Sequence, residues 1–200
     1  KFERFLIDGV TGSGKTEIYF EAINEALRSG NQSLILLPEI ALVDSLFKRV
    51  KDRFGFEPAV WHSETKASEK RKIWNDAATG KIKLVIGARS ALFLPFKNLN
   101  LIVIDEEHDS TYKQQEQVIY NARDMAIARA SFENSVIVMA SATPSMESIF
   151  NVRAKKYNQL SLPKRIGSAG LPSINVIDMR EEFIEKDSWI SPSLKSEIIE

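Results

Sequence analysis

The sequence predicts an α/β fold in which helices flank a central, mostly parallel sheet, and three observations support this prediction. Short, nearly continuous apolar runs alternate with longer amphipathic segments along the 200 residues. This pattern is typical of strands that are buried on both faces and joined by crossover helices. A glycine-rich phosphate-binding motif lies between the first apolar run and the first helical segment, and acidic residues directly follow a later run. Together these features predict a three-layer nucleotide-binding domain.

The individual elements follow from the spacing of the apolar residues. Strands are predicted at residues 5–7, 33–37, 59–61, 84–86, 101–104 and 136–139. The first helix starts from the phosphate-binding motif and ends before Gly30, and further helices are predicted at residues 41–54, 68–79, 122–132 and 145–155. Weaker alternation predicts peripheral strands at residues 158–162 and 174–177, and residues 193–200 have a helical pattern.

The predicted domain organisation has three segments. Residues 1–162 form one globular lobe, which is long enough to bury a sizeable core. Residues 163–179 form a connection that contains proline and glycine and ends in a peripheral strand, and residues 180–200 form a linker. Because the sequence begins at Lys1 and its last helical pattern is incomplete, we expect it to be part of a longer protein.

The composition excludes several classes of site. The chain has 27 basic and 27 acidic residues, so nucleic-acid binding would have to rest on a local surface rather than on net charge. It has no cysteine, which excludes disulfides and thiolate metal sites, and with only two histidines we expect no zinc site. No apolar stretch approaches the roughly 20 residues of a membrane span, and the N-terminus lacks a signal-peptide pattern. We therefore expect a soluble, cytoplasmic protein that has no membrane partner.

The phosphate-binding motif is the strongest chemical signal in the sequence. Its residues are Gly9, Val10, Thr11, Gly12, Ser13, Gly14, Lys15 and Thr16. Glycines let the backbone turn so that successive N–H groups converge on phosphate oxygens at the start of a helix. We expect Lys15 to reach the β and γ phosphates and the Thr16 hydroxyl to bind the accompanying Mg²⁺. The motif alone predicts phosphate binding, a property shared by kinases, switches and motors.

A second part of this site is predicted at the end of the strand at residues 101–104. In an open α/β sheet this edge is where ligands bind. We expect Asp105 to hold Mg²⁺, commonly through water, and Glu106 to orient and deprotonate the water that attacks the γ phosphate. The second carboxylate favours hydrolysis over phosphate transfer to a small molecule, although a kinase stays open at this stage. We expect His108 to join the site to a polar residue of a neighbouring segment.

Three further segments accompany the two nucleotide motifs, at residues 37–42, 87–95 and 141–145. Together and in this order, the five segments resemble the first motor lobe of superfamily 2 helicases. Within that superfamily, residues 8–17, 86–95 and 105–115 are most similar to the primosomal replication-restart helicases, the PriA family. The resemblance runs through Tyr157 and, more loosely, to the end of the sequence.

The resemblance implies a RecA-like P-loop NTPase lobe, the N-terminal one of two, in an ATP-dependent DNA helicase of the bacterial nucleoid. Such helicases couple ATP hydrolysis to translocation on DNA and to the unwinding of abandoned replication forks. The implied cofactors are ATP and Mg²⁺. The implied partners are single-stranded or branched DNA, the second RecA-like lobe of the same chain, the primosome and single-strand-binding proteins.

The resemblance also assigns residues to DNA contact and to coupling. Pro38, Glu39, Arg89 and Ser90 match motifs that place the lobe on the DNA backbone, and Ser141 and Thr143 match the motif that couples nucleotide state to DNA movement. Tyr112, Lys113, Tyr120 and Arg123 occupy residues 109–124, the position of the family's aromatic-rich loop. In such a loop tyrosines can stack on unpaired bases and the cations can meet phosphate. This loop has no tryptophan, and Gln117, Val118 and Ile119 stand where a larger aromatic residue is expected.

The isolated chain is expected to be nearly inactive as an enzyme. A second lobe would supply the arginine that stabilises the transition state, a contribution of roughly 10³ to 10⁵ in rate. The upstream element that usually recognises adenine is also expected to be missing, because eight residues precede Gly9. Two alternatives to the replication-restart helicase stay open. They are a lobe of another superfamily 2 DNA translocase, and a P-loop module whose ATP state gates protein contacts without translocation.

Overall fold

The computed structural model describes residues 1–39, 41–116, 118–167, 174–180, 182 and 189–199. The chain divides into two compact units, residues 1–166 and residues 167–200. Parts of several sequence predictions lie outside the described residues, namely those at Ile40, Gln117, Glu200, residues 168–173, residue 181 and residues 183–188.

The first unit is built around a parallel sheet of seven strands. In chain order its strands are β1 (Glu3–Gly9), β2 (Gln32–Leu36), β3 (Ala59–Trp61), β4 (Leu84–Gly87), β5 (Leu99–Asp105), β8 (Val136–Ser141) and β9 (Asn158–Leu162). Strands β6 (Lys113–Gln114) and β7 (Tyr120–Asn121) form a separate antiparallel hairpin between β5 and β8 in sequence. The spatial order in the sheet is β3-β4-β2-β5-β8-β1-β9, and every pairing in it is parallel. The seven strands predicted for this unit are confirmed, with their ends shifted by two residues at most.

Helices cover both faces of this sheet. The helices of the unit are α1 (Lys15–Arg28), α2 (Ala41–Phe54), α3 (Ala67–Thr79), α4 (Ala122–Phe132) and α5 (Met146–Arg153). Tyr19, Phe20 and Ile23 of α1 are buried with α2 against one face. Ile73 of α3 and Ala126 of α4 are buried against the other face. The predicted three-layer α/β architecture is therefore confirmed.

The strand sequences reflect this covering on both sides. Every residue of β2 and of β4 is buried, which explains why these strands are apolar runs rather than alternating patterns. Because all strands of the sheet run in the same direction, their carboxyl ends lie at one edge. This edge carries the residues that the sequence marks as functional.

The second unit contains one confirmed and one wrong prediction. Helix α6 (Pro192–Ile199) agrees with the helical pattern at residues 193–200, and Ser191 Oγ caps it by accepting a hydrogen bond from Leu194 N at 3.1 Å. The strand predicted at residues 174–177 is wrong, because residues 174–178 form no regular structure. Ile174 and Val176 are 85% and 90% exposed, so the alternation there does not reflect a buried strand face. No helix among the described residues is long and apolar enough to cross a membrane.

Candidate nucleotide site and its neighbouring motifs

The predicted motif residues gather along the carboxyl edge of the sheet. The nucleotide motifs are the phosphate loop (residues 9–16), which follows β1, and Asp105 and Glu106, which lie at the end of β5. The other predicted residues lie at the ends of three further strands: Pro38 and Glu39 after β2, Arg89 and Ser90 after β4, and Ser141 and Thr143 at the end of β8. Since β8 lies between β5 and β1, the acidic residues and the phosphate loop are separated by a single strand. The sheet topology thus assembles segments that are up to about 130 residues apart in sequence.

The phosphate loop has the backbone geometry that phosphate binding requires. Gly12 and Gly14 have φ angles of 77° and 87°, in the left-handed region that favours glycine, and Gly14 forms the N-cap of α1. The Lys15 ammonium folds back onto the loop and donates to Gly9 O at 2.7 Å. Ser13 Oγ is buried and has no hydrogen-bond partner among the described residues. Left-handed glycines at a helix N-terminus, together with an unpartnered buried hydroxyl, fit the triphosphate of a nucleotide.

Tyr19 brings the two expected magnesium-binding side chains together. Its hydroxyl donates to Asp105 Oδ2 at 3.0 Å. Burial raises the pKa of this hydroxyl overall, and the Thr16 side chain lies close enough to lower that pKa in part. Mg²⁺ commonly takes one or two protein oxygens and completes its shell with phosphates and water. Among the described residues there is no cluster of three or more acidic or histidine side chains that could hold a metal without such help. The Thr16 and Asp105 pair fits Mg²⁺ bound together with phosphates.

The two carboxylates at the end of β5 have raised pKa values. Burial is the main cause of the raised pKa of Asp105, although hydrogen bonds from Tyr19 and from the Glu106 backbone N–H lower it in part. Burial also raises the pKa of Glu106, and the neighbouring Asp105 charge adds to the effect. Glu106 has a φ of 48°, an uncommon left-handed conformation for a non-glycine residue, and such strain often occurs at functional sites.

These residues line one cavity of about 400 Å³. Its walls are residues 11–17, Arg49, Asp105, Glu106 and Ile166. Arg49 donates to Glu17 Oε1 at 2.8 Å and provides a second cation beside Lys15. A larger cavity of about 840 Å³ lies at the opposite edge of the sheet, around Phe56 and Lys83, and contains no motif residue. We therefore assign the nucleotide site to the cavity of about 400 Å³, because the motif residues line it.

His108 connects the acidic residues to β8. Its Nδ1 lies 2.7 Å from Ser141 Oγ and 3.5 Å from Glu106 Oε2. Ser141 Oγ also accepts a hydrogen bond from Thr143 N at 3.0 Å. The histidine thus contacts a polar side chain of the neighbouring strand, which is the kind of contact that the sequence predicts.

Glu107 is a central residue that sequence reasoning missed. Its Oε1 accepts from Ser145 N at 2.7 Å, and its Oε2 accepts from Ser145 Oγ at 3.0 Å, Ser148 Oγ at 3.0 Å and Arg123 Nη1 at 3.2 Å. The carboxylate is fully buried. We call Glu107, Arg123, Ser145 and Ser148 the buried carboxylate cluster. It ties the end of β5 to the first turns of α4 and α5.

The structure places several of the loop residues away from DNA-facing positions. Arg123 is only 9% exposed, and its guanidinium is hydrogen-bonded to Glu107 and Asp124. Burial alone would lower the pKa of Arg123, but the two carboxylates have the larger effect and raise it. Tyr112 is 1% exposed, and its hydroxyl is 2.6 Å from Asp105 O and 3.0 Å from Leu36 O. The expectations that Arg123 meets phosphate and that Tyr112 stacks on bases are therefore wrong, because both side chains are committed to the interior.

The other loop and motif residues are more accessible. Tyr120 is half-buried and packs edge-on against Phe93, with ring centroids 5.4 Å apart. Lys113 is exposed and, with Arg89 and residues 114–116, lines a polar cavity of about 490 Å³. In this cavity the exposed Lys113 and the half-buried Arg89, which come from two predicted DNA motifs, lie together.

Two hydrogen bonds join these motifs to their surroundings. Thr111 Oγ1 donates to Pro38 O at 3.3 Å, which connects the loop at residues 109–124 to the segment after β2. Ser90 Oγ accepts from Trp61 Nε1 at 3.1 Å. Glu39 and Thr143 are exposed at the same edge.

Sequence comparison identifies relatives of the chain. The family model described as DEAD/DEAH box helicase matches residues 1–152. The chain is 52% identical over 189 residues to replication restart protein PriA of Rickettsia typhi. The aligned region covers 94% of this chain and 29% of the relative. It is 45% identical over 179 residues to replication restart protein PriA of Bacillus subtilis, covering 90% of this chain and 22% of the relative. The chain thus spans less than a third of the length of these relatives.

Solved structures share the fold. RecG bound to a three-way DNA junction matches with a TM-score of 0.59 and 27% identity, covering 84% of this chain and 21% of RecG. The Hef helicase domain of Pyrococcus furiosus matches with a TM-score of 0.58 and 21% identity, covering 80% of this chain and 35% of the Hef domain. The predicted RecA-like helicase fold is confirmed by these likenesses.

Proposed function

This chain belongs to the DEAD/DEAH box helicase family, and on that premise we propose that it is the ATP-binding motor lobe of a PriA-like DNA helicase that acts in replication restart. The observation that carries the proposal is that the phosphate loop and the acidic residues at the end of β5 line one cavity. Thr16 of the phosphate loop and Asp105 at the end of β5 line the same cavity, and Tyr19 of α1 donates to Asp105 Oδ2 at 3.0 Å. A triphosphate and its magnesium need both the loop and the acidic residues.

Each residue of the cavity has a role in this proposal. The backbone of residues 12–16 and Lys15 bind the phosphate oxygens and offset their charge. Thr16 and Asp105 hold Mg²⁺, which when bound neutralises part of the charge on the β and γ phosphates. Arg49 lines the same cavity, where it is paired with Glu17.

Glu106 is the proposed general base. Its side chain is 36% exposed and lines the cavity beside Asp105, so a water between the carboxylate and the γ phosphate is accessible to it. A raised pKa makes a carboxylate a stronger base, and bases act best when their pKa is near the working pH. Water is therefore the favoured nucleophile, and the product is ADP and phosphate.

Coupling to DNA is proposed to run through the two residues that follow. His108 contacts Ser141 on β8, and Glu107 holds Arg123 at the start of α4 directly after the loop at residues 109–121. Asp105, which would hold Mg²⁺, and Glu106, the proposed base, are thus directly followed by the two residues that contact α4 and β8. A change in the position of the β5 end is passed to each of these elements through direct contacts.

The DNA partner is proposed from the family and from the relatives. RecG was solved on a three-way DNA junction, and the PriA relatives are named as replication restart proteins. By analogy we assign this lobe to single-stranded or branched DNA, with Arg89 and Lys113 as phosphate contacts that do not read sequence. The assignment includes a second RecA-like lobe, primosome and single-strand-binding partners, and a bacterial cytoplasmic, nucleoid-associated location.

The test is an ATPase assay of the full-length protein with and without single-stranded DNA. We expect DNA to stimulate hydrolysis in the wild type, and Lys15→Ala to bind nucleotide about tenfold to a hundredfold more weakly and to lose turnover. Glu106→Gln should retain nucleotide but barely hydrolyse it. A wild-type protein whose ATPase ignores DNA would argue instead for the ATP-gated interaction module. Wild-type turnover by Glu106→Gln would remove Glu106 from the role of base.

The isolated chain provides a second test of the same proposal. Because the transition-state arginine is assigned to the second lobe, we expect the chain alone to bind nucleotide weakly and to turn over very slowly. Fast, DNA-stimulated hydrolysis by the isolated chain would contradict this assignment.

A further inference from the structure

Residues 163–166, which directly follow β9, cross the outer side of the phosphate loop. Two backbone hydrogen bonds fix this crossing. Val10 N donates to Leu162 O at 3.2 Å, and Ile166 N donates to Gly12 O at 2.9 Å. The Ile166 side chain lies so close to the loop that its Cδ1 would be 2.6 Å from a Cβ atom built on Gly14. This segment is therefore held against the loop by main-chain contacts and by shape.

Ile166 places an apolar surface in a polar cavity. It lines the cavity together with Lys15, Thr16, Asp105 and Glu106, and its side chain is 69% exposed. A single exposed isoleucine on a protein surface needs no explanation. Here, however, the backbone hydrogen bond to Gly12 fixes the residue at the rim of a site built for a nucleotide. Ligand sites commonly combine a few polar groups with apolar walls that cover the flat parts of the ligand.

The strand order fixes the direction in which a nucleotide must lie. Asp105 and Glu106 at the end of β5 mark the γ-phosphate end of the site. The phosphate loop follows β1, and residues 163–166 follow β9 on the far side of β1. With strands about 4.8 Å apart, β5 and β9 are separated by about 14 Å along the edge. A nucleotide whose γ phosphate is at β5 therefore extends its nucleoside toward residues 163–166.

We propose that Ile166 forms the wall on which the base of the nucleoside triphosphate packs. The inference rests on the proposed function, since it takes the phosphate loop to bind a nucleotide. The segment after β9 thereby supplies an element that contacts the base. Packing against an aliphatic side chain recognises the face of the base and not its hydrogen-bonding edges.

The test compares ATP with inorganic triphosphate, which lacks a base, in the 200-residue chain. Dissociation constants of both Mg²⁺ complexes are measured by calorimetry and by ligand-dependent thermal shift for the wild type, Ile166→Ala and Ile166→Leu. Phe132→Ala is the matched control, because Phe132 is 89% exposed and ends α4 at the opposite edge of the sheet. Lys15→Ala tests the phosphate site itself.

We expect Ile166→Ala to weaken ATP binding roughly five- to tenfold, in keeping with the apolar area that it removes. The affinity for triphosphate should change by less than about twofold, and Ile166→Leu and Phe132→Ala should keep the wild-type affinity for ATP within about twofold. Because triphosphate has the same phosphates as ATP, this difference isolates the base.

Three results would overturn the inference. They are unchanged ATP binding by Ile166→Ala, equal weakening for ATP and triphosphate, and tighter binding of both ligands, which would mean that residues 163–166 cover the site. The proposed function fails separately. It fails when the wild type binds neither ligand or when Lys15→Ala leaves ATP binding unchanged.

Discussion

Glu106 and Glu107 are neighbours in sequence but lie in opposite environments. The Glu106 side chain is 36% exposed and lines the nucleotide cavity, and its Oε2 lies 3.5 Å from His108 Nδ1. The Glu107 side chain is fully buried and accepts four hydrogen bonds. The left-handed backbone of Glu106 turns the chain between them. One carboxylate is thus left free for chemistry, whereas the next one holds elements together.

The difference has an energetic reason. A buried charge is tolerated only when a partner and hydrogen bonds replace the water that it loses, and Glu107 has both in Arg123 and the two serines. Glu106 lacks such compensation, so its carboxylate remains available to a ligand and its pKa is raised by burial. Changes that remove a partner of Glu107 should therefore affect stability, and changes in the cavity should affect ligand binding.

The largest expected effect is that of Glu107→Ala. Removing the carboxylate leaves the buried Arg123 guanidinium with only the exposed Asp124 as a carboxylate partner and leaves Ser145 N without its acceptor, defects that together cost about 3–5 kcal/mol. We expect urea unfolding to report a loss of this size, or the chain to fail to fold. Glu106→Ala is the matched control and should unfold close to the wild type. Equal losses for the two variants would contradict the contrast between the neighbours.

Lys15→Ala should mainly affect ligand binding. A hydrogen bond to a charged group is worth about 1.5–3 kcal/mol, so the affinity for ATP should fall about tenfold to a hundredfold. The unfolding midpoint should change little, because among the described residues the Lys15 ammonium donates only to Gly9 O. Titration of the chain with ATP measures the first effect and thermal unfolding the second. A large loss of stability would place Lys15 with the structural residues instead.

Ser148→Ala tests a single contact of the buried carboxylate cluster. Ser148 is 2% exposed and donates to Glu107 Oε2 at 3.0 Å. Its loss should cost about 1 kcal/mol. Thr143→Ala is the control, since Thr143 is exposed at the same edge. If urea unfolding gives the same midpoint for both variants, Ser148 does not support the carboxylate.

Asp105→Asn should raise stability slightly while removing a magnesium ligand. Burial raises the pKa of Asp105, so the ionised carboxylate costs folding free energy above that pKa, and this cost disappears as the pH falls through it. In magnesium-free buffer at neutral pH we expect Asp105→Asn to unfold a few degrees above the wild type. The gap should close on acidification.

Asp52→Asn, on the exposed side of α2, is the control for this change and should unfold like the wild type in the same neutral buffer. A gap between Asp105→Asn and the wild type that widens in acid would contradict the stated cause.

The fold and the nucleotide motif were predictable because they depend on local spacing. The apolar runs gave β1 to β5, β8 and β9, and Gly14 marked the start of α1. The strand expected at residues 174–177 failed because alternation shows only that a strand is possible. A strand also needs a neighbouring strand to accept its backbone hydrogen bonds.

The buried carboxylate cluster could not be predicted from spacing. Glu107 reads as one acid in a run, and its partners Ser145 and Ser148 lie 38 and 41 residues further along the chain. Arg123 reads as a surface cation in a polar loop, and only the tertiary fold turns it inward. One signal in the sequence could have identified Glu107. It is a third acidic residue directly after the two expected catalytic acids at a strand end, where a carboxylate can turn back into the fold.

The most direct test of the account measures Glu106→Gln and Glu107→Gln side by side, in thermal unfolding and in ATP turnover by the full-length protein. Glutamine at position 107 must set an amide N–H against either Ser145 N or Arg123 Nη1, both of which are donors. We predict that Glu107→Gln unfolds at a clearly lower temperature. Glu106→Gln should unfold like the wild type but lose nearly all turnover. A stable Glu107→Gln variant together with an active Glu106→Gln variant would contradict the account.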